Sequence, residues 1–157
     1  MDNSQVFARY YNLVLRYLSY RPRSEKEVLD YLKKKQEKAP SLNDTVVKQI
    51  FEKLREYKFI NDFEFAKFWL EQRTKFKKKP IRVIEYELSQ KGISRDIVEE
   101  ILTGFDVKDL DLENAKKLAS KKLDFYRNLD PKKRREKVTG FLLRRGFNYD
   151  IVKKIMD

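Results

Sequence analysis

The sequence predicts an all-α protein built from three tandem three-helix repeats. Apolar residues recur at helical spacing along nearly the whole chain. The same order of helix starts, helix stops and apolar positions occurs three times, and only 4 Gly and 4 Pro among 157 residues leave little room for long irregular loops. We expect repeats at residues 1–61, 62–106 and 107–157. One repeat buries little by itself, so the repeats are expected to cover one another in an elongated, curved array.

The first repeat shows three helices with clear breaks between them. An apolar face defines the first helix, and Arg21-Pro22-Arg23 ends it. Ser24, followed three residues later by Glu27, forms a capping box that starts the second helix. Asn43 is predicted to cap the third helix.

The second and third repeats share an ungapped register of twelve residues, 91–102 and 145–156. Gly92 and Gly146 occupy the same place in it. Each is predicted to end the second helix of its repeat in the left-handed conformation that glycine tolerates.

The same register predicts how the third helices begin. Ser94 and Asn148 are predicted caps, and Ile97 and Ile151 are predicted core residues whose truncation to Ala should be costly. The acidic segment 106–111 is predicted to be a short turn between the second and third repeats.

The composition excludes several kinds of site. The chain has no His and no Cys, so the usual zinc ligands, the commonest general base and thiol chemistry are missing. We expect no catalytic, metal or cofactor site, although an enzyme using only Asp, Glu and Lys stays open as an alternative. Neither a signal peptide nor a membrane span is predicted, so we expect a cytoplasmic protein.

The charge of the chain indicates a polyanionic partner. Its 37 basic and 25 acidic residues give a net charge of +12. Basic clusters fall near the turns between the first and second helices, partly at helix starts, where the helix dipole disfavours cations. The alternative is an ordinary solvated surface. The predicted DNA- or filament-binding residues are Arg21, Arg23, Arg73, Lys75, Lys77, Lys78, Lys79, Arg82, Lys132, Lys133, Arg134, Arg135, Arg144 and Arg145.

Aromatic residues are the second candidate feature for binding nucleic acid. Tyr10, Tyr17, Tyr20, Trp69 and Tyr126 are possible stacking faces for bases. Most aromatics at helical spacing belong to the core, so we expect one or two of them at most to be exposed.

Four stretches in order along the chain resemble the RecX regulators of the RecA recombinase. They are residues 15–27, residues 60–66 with Arg73, residues 80–93, and residues 141–150. The chain departs from the family pattern at Lys58 and Lys79, where glycine is usual, and at Asn61, where an acid is usual.

The resemblance implies three tandem three-helix motifs and a protein that binds along the groove of the RecA–single-stranded-DNA filament. Binding there would restrain ATP hydrolysis, strand exchange or filament growth. Affinity for single-stranded DNA through phosphates should be salt-sensitive and independent of base sequence. We expect a monomer without a cofactor. The alternative is a general, non-enzymatic helical protein that binds nucleic acid, for instance by reading double-stranded DNA with one helix.

Overall fold

The computed structural model describes all 157 residues and consists of nine helices without a β-strand. The all-α prediction is confirmed, with three helices in each third of the chain. In chain order the helices are α1 (Asn3–Ser19), α2 (Glu25–Lys38), α3 (Asp44–Glu56), α4 (Asp62–Lys75), α5 (Ile81–Gln90), α6 (Arg95–Leu102), α7 (Val107–Phe125), α8 (Pro131–Arg144) and α9 (Tyr149–Met156). None of them combines the length and apolar composition that crossing a bilayer requires.

The helices form two compact units. The first unit contains Met1–Phe68 and Ser89–Ile97, and the second contains Trp69–Leu88 and Val98–Asp157. The division falls inside α4 and α6, so the middle repeat supplies residues to both units. The repeat boundaries after residues 61 and 106 describe the periodicity of the sequence and stay a prediction.

The core of the first unit lies among α1, α2 and α3. Each helix turns one apolar stripe inward, as the helical spacing predicts. The side chains in this core with no exposed surface are Val14, Val28, Leu32, Val46, Ile50 and Leu54.

The core of the second unit includes the packing of α7 against α8 and α9. Ala115 and Ala119 are the buried residues of α7 in this cluster. Because their side chains are small, they allow a close approach of the fully buried Val138 and Leu142 of α8. Val152 of α9 completes the buried face.

The predicted helix starts are confirmed. The side chains of Ser24, Asn43, Ser94 and Asn148 each accept a hydrogen bond from a backbone N–H within the first turn of the following helix, at 2.8 to 3.3 Å. Ser24 and Glu27 form the full reciprocal capping box. Local capping therefore fixes where these helices begin.

Left-handed residues end several of the helices. Gly92 and Gly146 have φ of 76° and 96°, which confirms their predicted role. Lys58, at one of the positions where the chain departs from a glycine of the family that it resembles, also has a positive φ, of 58°. In the turn before α5 the left-handed residue is Lys78, with φ of 49°, and not its neighbour Lys79.

Two sequence-based expectations were wrong. Residues 107–111 are not a turn but the beginning of α7, because the Asp106 side chain accepts a hydrogen bond from the Asp109 N–H at 3.0 Å and caps the helix. Ile97 and Ile151 are only partly buried, whereas Ile101 and Val152 on the same helices are buried. The register is correct, but the deepest positions lie further along each helix.

Candidate nucleic-acid interface

The predicted cations of the first repeat are engaged in intramolecular contacts. Arg21 forms an ion pair with Glu27 at 2.6 Å. The Arg23 guanidinium lies 4.0 Å from the centre of the Tyr17 ring, in the range of a cation–π contact. Tyr17 in turn stacks on Tyr31 with ring centres 4.4 Å apart. Both arginines therefore stabilise the region between α1 and α2.

Glu27 is the centre of a hydrogen-bond network in the first unit. Its carboxylate is 11% exposed and accepts hydrogen bonds from Arg21, from the Lys91 ammonium at 2.8 Å, and from the Ser24 N–H at 3.0 Å. Burial alone would raise the pKa of the Glu27 carboxyl, but these donors outweigh burial and lower it to about 2. Glu27 is therefore ionised and fully paired at neutral pH.

Two predicted cations of the second repeat are held by a single acid, Glu87. The Glu87 carboxylate forms an ion pair with Lys79, lies 3.4 Å from Arg73 Nε, and accepts a hydrogen bond from Trp69 Nε1 at 2.9 Å. The Arg73 guanidinium also lies 4.1 Å from the centre of the Trp69 ring. Arg73 and Lys79 thus contribute to the packing between α4 and α5.

Three cations near the same turn have no carboxylate partner: Lys77, Lys78 and Arg82. We call them the second-turn patch. Lys77 and Arg82 are exposed, and the Lys78 ammonium donates a hydrogen bond only to the Lys75 carbonyl, at 3.1 Å. Lys75 itself pairs with Glu71 in an exposed contact of one helical turn, which solvent screens strongly.

Arg145, the residue directly after α8, contacts the turn that carries the second-turn patch. Its guanidinium donates a hydrogen bond to the Lys77 carbonyl at 2.8 Å. The next residue, Gly146, packs so closely that a Cβ there would lie 2.6 Å from Val83 Cγ2. Arg144 and Arg145 were predicted within a basic turn, but they lie at the C-terminal end of α8. Arg145 reaches the turn of the preceding repeat instead.

The third basic cluster lies in a helix and not in the turn before it. Residues 132–135 form the first turn of α8, which Asp130 caps through the Lys133 N–H at 3.2 Å. Arg135 forms an ion pair with Asp157. The other three, Lys132, Lys133 and Arg134, have no carboxylate partner, and we call them the third-repeat patch.

The register of the buried residues shows why the third basic cluster lies in a helix, whereas the second one lies in a turn. The buried Val138 and Leu142 of α8 correspond to the buried Ile84 and Leu88 of α5 in the register that aligns the two glycines. In this register α8 begins one helical turn earlier than α5. The third-repeat patch lies on that additional turn.

The aromatic predictions were correct only in part. Tyr10 and Trp69 are 5% and 8% exposed and belong to the core, while Tyr17 and Tyr126 are partly buried. Tyr20 is the one predicted stacking face that is freely exposed, at 72%. The expectation that one or two would be exposed is therefore met by Tyr20 alone.

Two exposed aromatics next to the basic clusters were missed. Phe76 follows the last residue of α4 and is 70% exposed, and Phe125 is the last residue of α7 and is 72% exposed. Each lies fourteen residues after an equivalent aspartate, Asp62 or Asp111. Their shared position at the end of the first helix of the repeat was the signal that would have identified them.

Those two aspartates make equivalent backbone contacts that the sequence analysis also missed. Asp62 accepts a hydrogen bond from the Glu25 N–H, and Asp111 accepts one from the Ile81 N–H, both at 2.9 Å. Glu25 and Ile81 are the first residues of α2 and α5, so each aspartate satisfies a free N–H at a helix start. Burial raises the pKa of both aspartates.

No three acidic side chains converge into a possible metal site, and the largely buried Glu27 carboxylate is occupied by structural donors. The chain offers exposed cations, and it offers exposed aromatic rings close to them in the sequence. This combination suits binding to a polyanion that also presents flat aromatic surfaces.

Family models match all three repeats. The model described as "RecX, first three-helix domain" matches residues 11–37, the second three-helix domain matches residues 61–102, and the third matches residues 109–156. The chain is also similar to proteins named Regulatory protein RecX. It is 38% identical over 140 residues to the one from Bacillus pumilus, and 36% identical over 147 residues to the one from Bacillus subtilis.

These alignments cover 89% and 94% of this chain but 51% and 53% of the relatives, so the chain spans about half their length. Among solved structures, the crystal structure of RecX from Lactobacillus salivarius superposes with a TM-score of 0.76 at 30% identity. That match covers 98% of this chain and 96% of the other. A second RecX crystal structure gives a TM-score of 0.75 at 31% identity and covers 95% of this chain and 72% of that one.

Proposed function

Because this chain belongs to the RecX family, we propose that it is a non-catalytic regulator that binds the RecA–single-stranded-DNA filament. Its binding restrains the ATPase activity, strand exchange and filament growth of RecA during recombination, DNA repair and the SOS response. The relatives are named regulatory proteins. The protein acts as a monomer in the cytoplasm, in proportion to its occupancy of the filament, and consumes no ATP itself.

One structural observation supports the DNA-binding part of this proposal. The second-turn patch and the third-repeat patch each present three cations without a carboxylate partner. Other cations in the same clusters, such as Arg73, Lys79 and Arg135, are paired with acids. Arg82 and the third-repeat patch lie in first helical turns, where the dipole opposes cations. Uncompensated cations of this kind are available to phosphates.

The alternative is a general nucleic-acid-binding helical protein with no role at a recombinase. Base-specific affinity for double-stranded DNA in the absence of RecA would favour it. Our proposal instead expects affinity for the RecA filament to exceed affinity for naked DNA, because protein contacts add to phosphate contacts.

The first experiment is co-sedimentation of the full chain with RecA filaments on single-stranded DNA, together with the DNA-dependent ATPase activity of RecA. We expect saturable co-sedimentation and an ATPase rate that changes in parallel with occupancy. Absence of co-sedimentation, or ATP hydrolysis by the purified chain alone, would contradict the proposal.

The second experiment removes the patches. Replacing Lys77, Lys78 and Arg82 together by Gln, or the third-repeat patch by Gln, should weaken binding to single-stranded DNA. Each lost phosphate contact should lower the slope of log affinity against log salt by roughly 0.7. Exposed charges change folding stability by only about 0.5 kcal/mol per site, so the thermal midpoint should hold.

The matched control removes the same charge elsewhere in the second unit. Lys116, Lys121 and Lys153 are exposed and lie outside both patches. Their triple replacement by Gln lowers the net charge by the same three units, and we expect a smaller loss of affinity than either patch variant shows. An equal loss for control and patches would mean that only the overall charge matters.

A further inference from the structure

We propose that Phe76 and Phe125 are stacking platforms for the bases of single-stranded nucleic acid, each paired with the cation patch of its own repeat. This inference rests on the proposed function and specifies its ligand: an unpaired strand whose bases contact rings while its phosphates contact the patches. A duplex, whose bases are already stacked on each other, would use the cations alone.

The position of the two rings supports this reading. Phe76 and Phe125 occupy the same place in successive repeats, at the end of α4 and of α7. Equivalent positions elsewhere in the repeats are explained by burial, as with Ile84 and Val138. Large apolar rings that recur at one position and remain about 70% exposed gain nothing from the core. An isolated exposed ring needs no explanation, but a ring that recurs shortly before a basic cluster in two repeats does.

The backbone around Phe76 is held in place. The Lys79 N–H donates a hydrogen bond to the Arg73 carbonyl at 3.0 Å, and the Phe76 N–H to the Gln72 carbonyl at 3.2 Å. The Arg145 guanidinium fixes the carbonyl of Lys77, the next residue. The Phe76 side chain therefore projects from a braced turn, so a base that stacks on it meets a surface already in place.

The Phe125 side chain also has fixed neighbours, but these are side chains and not backbone groups. Its ring meets the Tyr126 ring edge-on, with centres 4.9 Å apart, and the Lys122 ammonium lies 5.2 Å from its centre. The edge contact leaves a face of Phe125 for a base, and the third-repeat patch begins seven residues later at Lys132. Both rings thus combine stacking area with nearby positive charge, which is the combination that binds single strands without sequence preference.

Tyr20 provides the matched control. It follows α1 as Phe76 follows α4 and is equally exposed, at 72%. The cations beside it are engaged, Arg21 with Glu27 and Arg23 with Tyr17. Without available cations to hold the phosphates, we expect Tyr20 to contribute little.

The experiment compares two ligands of the same length and charge, an oligothymidylate and an oligonucleotide with abasic sites throughout. Affinities of the full chain are measured over a series of salt concentrations. For Phe76→Ala and Phe125→Ala we expect a loss of at least about fivefold on oligothymidylate. We expect no change on the abasic strand and no change in salt slope. Phe76→Trp should retain the parent's affinity, and Tyr20→Ala should behave as the parent.

The outcomes separate this inference from the proposed function. If the phenylalanine variants bind oligothymidylate as the parent does, or lose equally on the abasic strand, the stacking platforms are refuted. The proposed function survives that result if the Gln variants of the patches still lose affinity. If neither set of variants changes binding, both the platforms and the proposed DNA contacts are refuted.

Discussion

The two junctions between consecutive repeats share one backbone arrangement and differ in side-chain chemistry. In the first unit, Asp62 accepts from the first N–H of α2 and Gly92 packs against Lys26. In the second unit, Asp111 accepts from the first N–H of α5 and Gly146 packs against Val83. In each junction, an aspartate of the later repeat accepts a hydrogen bond from the first N–H of a helix in the earlier repeat. A glycine of the later repeat packs against the first turn of that same helix.

The difference lies at the third residue of the receiving helix, which is Glu27 in α2 and Val83 in α5. The Glu27 carboxylate accepts a hydrogen bond from the ammonium of Lys91, the residue before Gly92 in the second repeat. The equivalent residue of the next repeat, Arg145, has no such acid and donates to the Lys77 carbonyl instead. The aspartate and glycine contacts are common to both junctions. The side chain at the third helix residue then decides whether the stability of the junction depends on charge.

The largest effect is expected from the glycines. Gly92→Ala and Gly146→Ala should each lower the free energy of unfolding by about 3–5 kcal/mol. A left-handed alanine costs about 1–3 kcal/mol, and the new Cβ would lie 2.7 Å from Lys26 Cβ or 2.6 Å from Val83 Cγ2. Urea unfolding followed by circular dichroism measures this.

Gly104→Ala is the control for these two variants. Its φ of 93° is similar, but nothing lies within 4 Å of the added Cβ, so it carries the backbone cost alone. If Gly104→Ala proves as destabilising as the junction variants, close packing at the junctions contributes nothing.

A medium effect is expected from Glu27, at the charged junction only. Its pKa of about 2 lies below the ordinary value of 4.5, so its contribution is complete above about pH 5 and is lost as the pH falls towards 2. Glu27→Gln should therefore cost up to about 3 kcal/mol at pH 7 and progressively less in acid. Unfolding free energies from pH 7 to pH 3 measure this for parent and variant.

Glu37→Gln supplies the comparison for that series, because Glu37 is an exposed acid on the same helix. We expect it to follow the parent at every pH. A cost of Glu27→Gln that does not change with pH would show that the network acts through shape and not through charge.

The smallest effect is expected from the two capping aspartates. Asp62→Ala and Asp111→Ala should cost about 1 kcal/mol each, because one helix N–H loses its acceptor. Asp62→Asn and Asp111→Asn should stay within about 0.5 kcal/mol of the parent at neutral pH, since an amide oxygen still accepts. Thermal unfolding of the four variants distinguishes the effect of losing the hydrogen-bond acceptor from the effect of losing the negative charge.

The pH dependence of the capping aspartates has the opposite sign to that of Glu27. Burial raises the pKa of both, so the folded chain takes up their protons more readily than the unfolded chain. The parent should therefore gain stability relative to the Asn variants as the pH falls through these raised values. If the Asn variants are as unstable as the Ala variants, the carboxylate charge is essential to the caps.

Much of the fold was predictable because its signals are local. Ser24, Asn43 and Gly146 act within a few residues of their own position, so the sequence shows helix starts and stops directly. Asp106 also acts locally, and the turn predicted after it was an error of interpretation: an aspartate before a helical pattern is a cap.

The candidate site was less predictable because its chemistry depends on contacts distant in sequence. Lys91 reaches Glu27 across 64 residues, and Arg145 reaches Lys77 across 68. Composition cannot show which cations such contacts occupy. For the same reason Trp69 was predicted to be a stacking face although it is buried, while Phe76 was overlooked.

The additional turn of α8 has a consequence for how repeats can be joined. Arg135 occupies the register position that Glu25 and Ile81 hold in the other two repeats, but it lies inside a helix and not at its start. The helix begins about one 5.4 Å pitch earlier, at Pro131, which has no N–H to donate. The second and third repeats each supply an aspartate acceptor to the repeat before them, and the first and second repeats each supply a helix N–H to the repeat after them. The third repeat has no N–H at the equivalent place, because its helix begins with Pro131. A ligand at the start of α8 would therefore contact the cations of the third-repeat patch, and not a helix N–H of the kind that Glu25 and Ile81 donate.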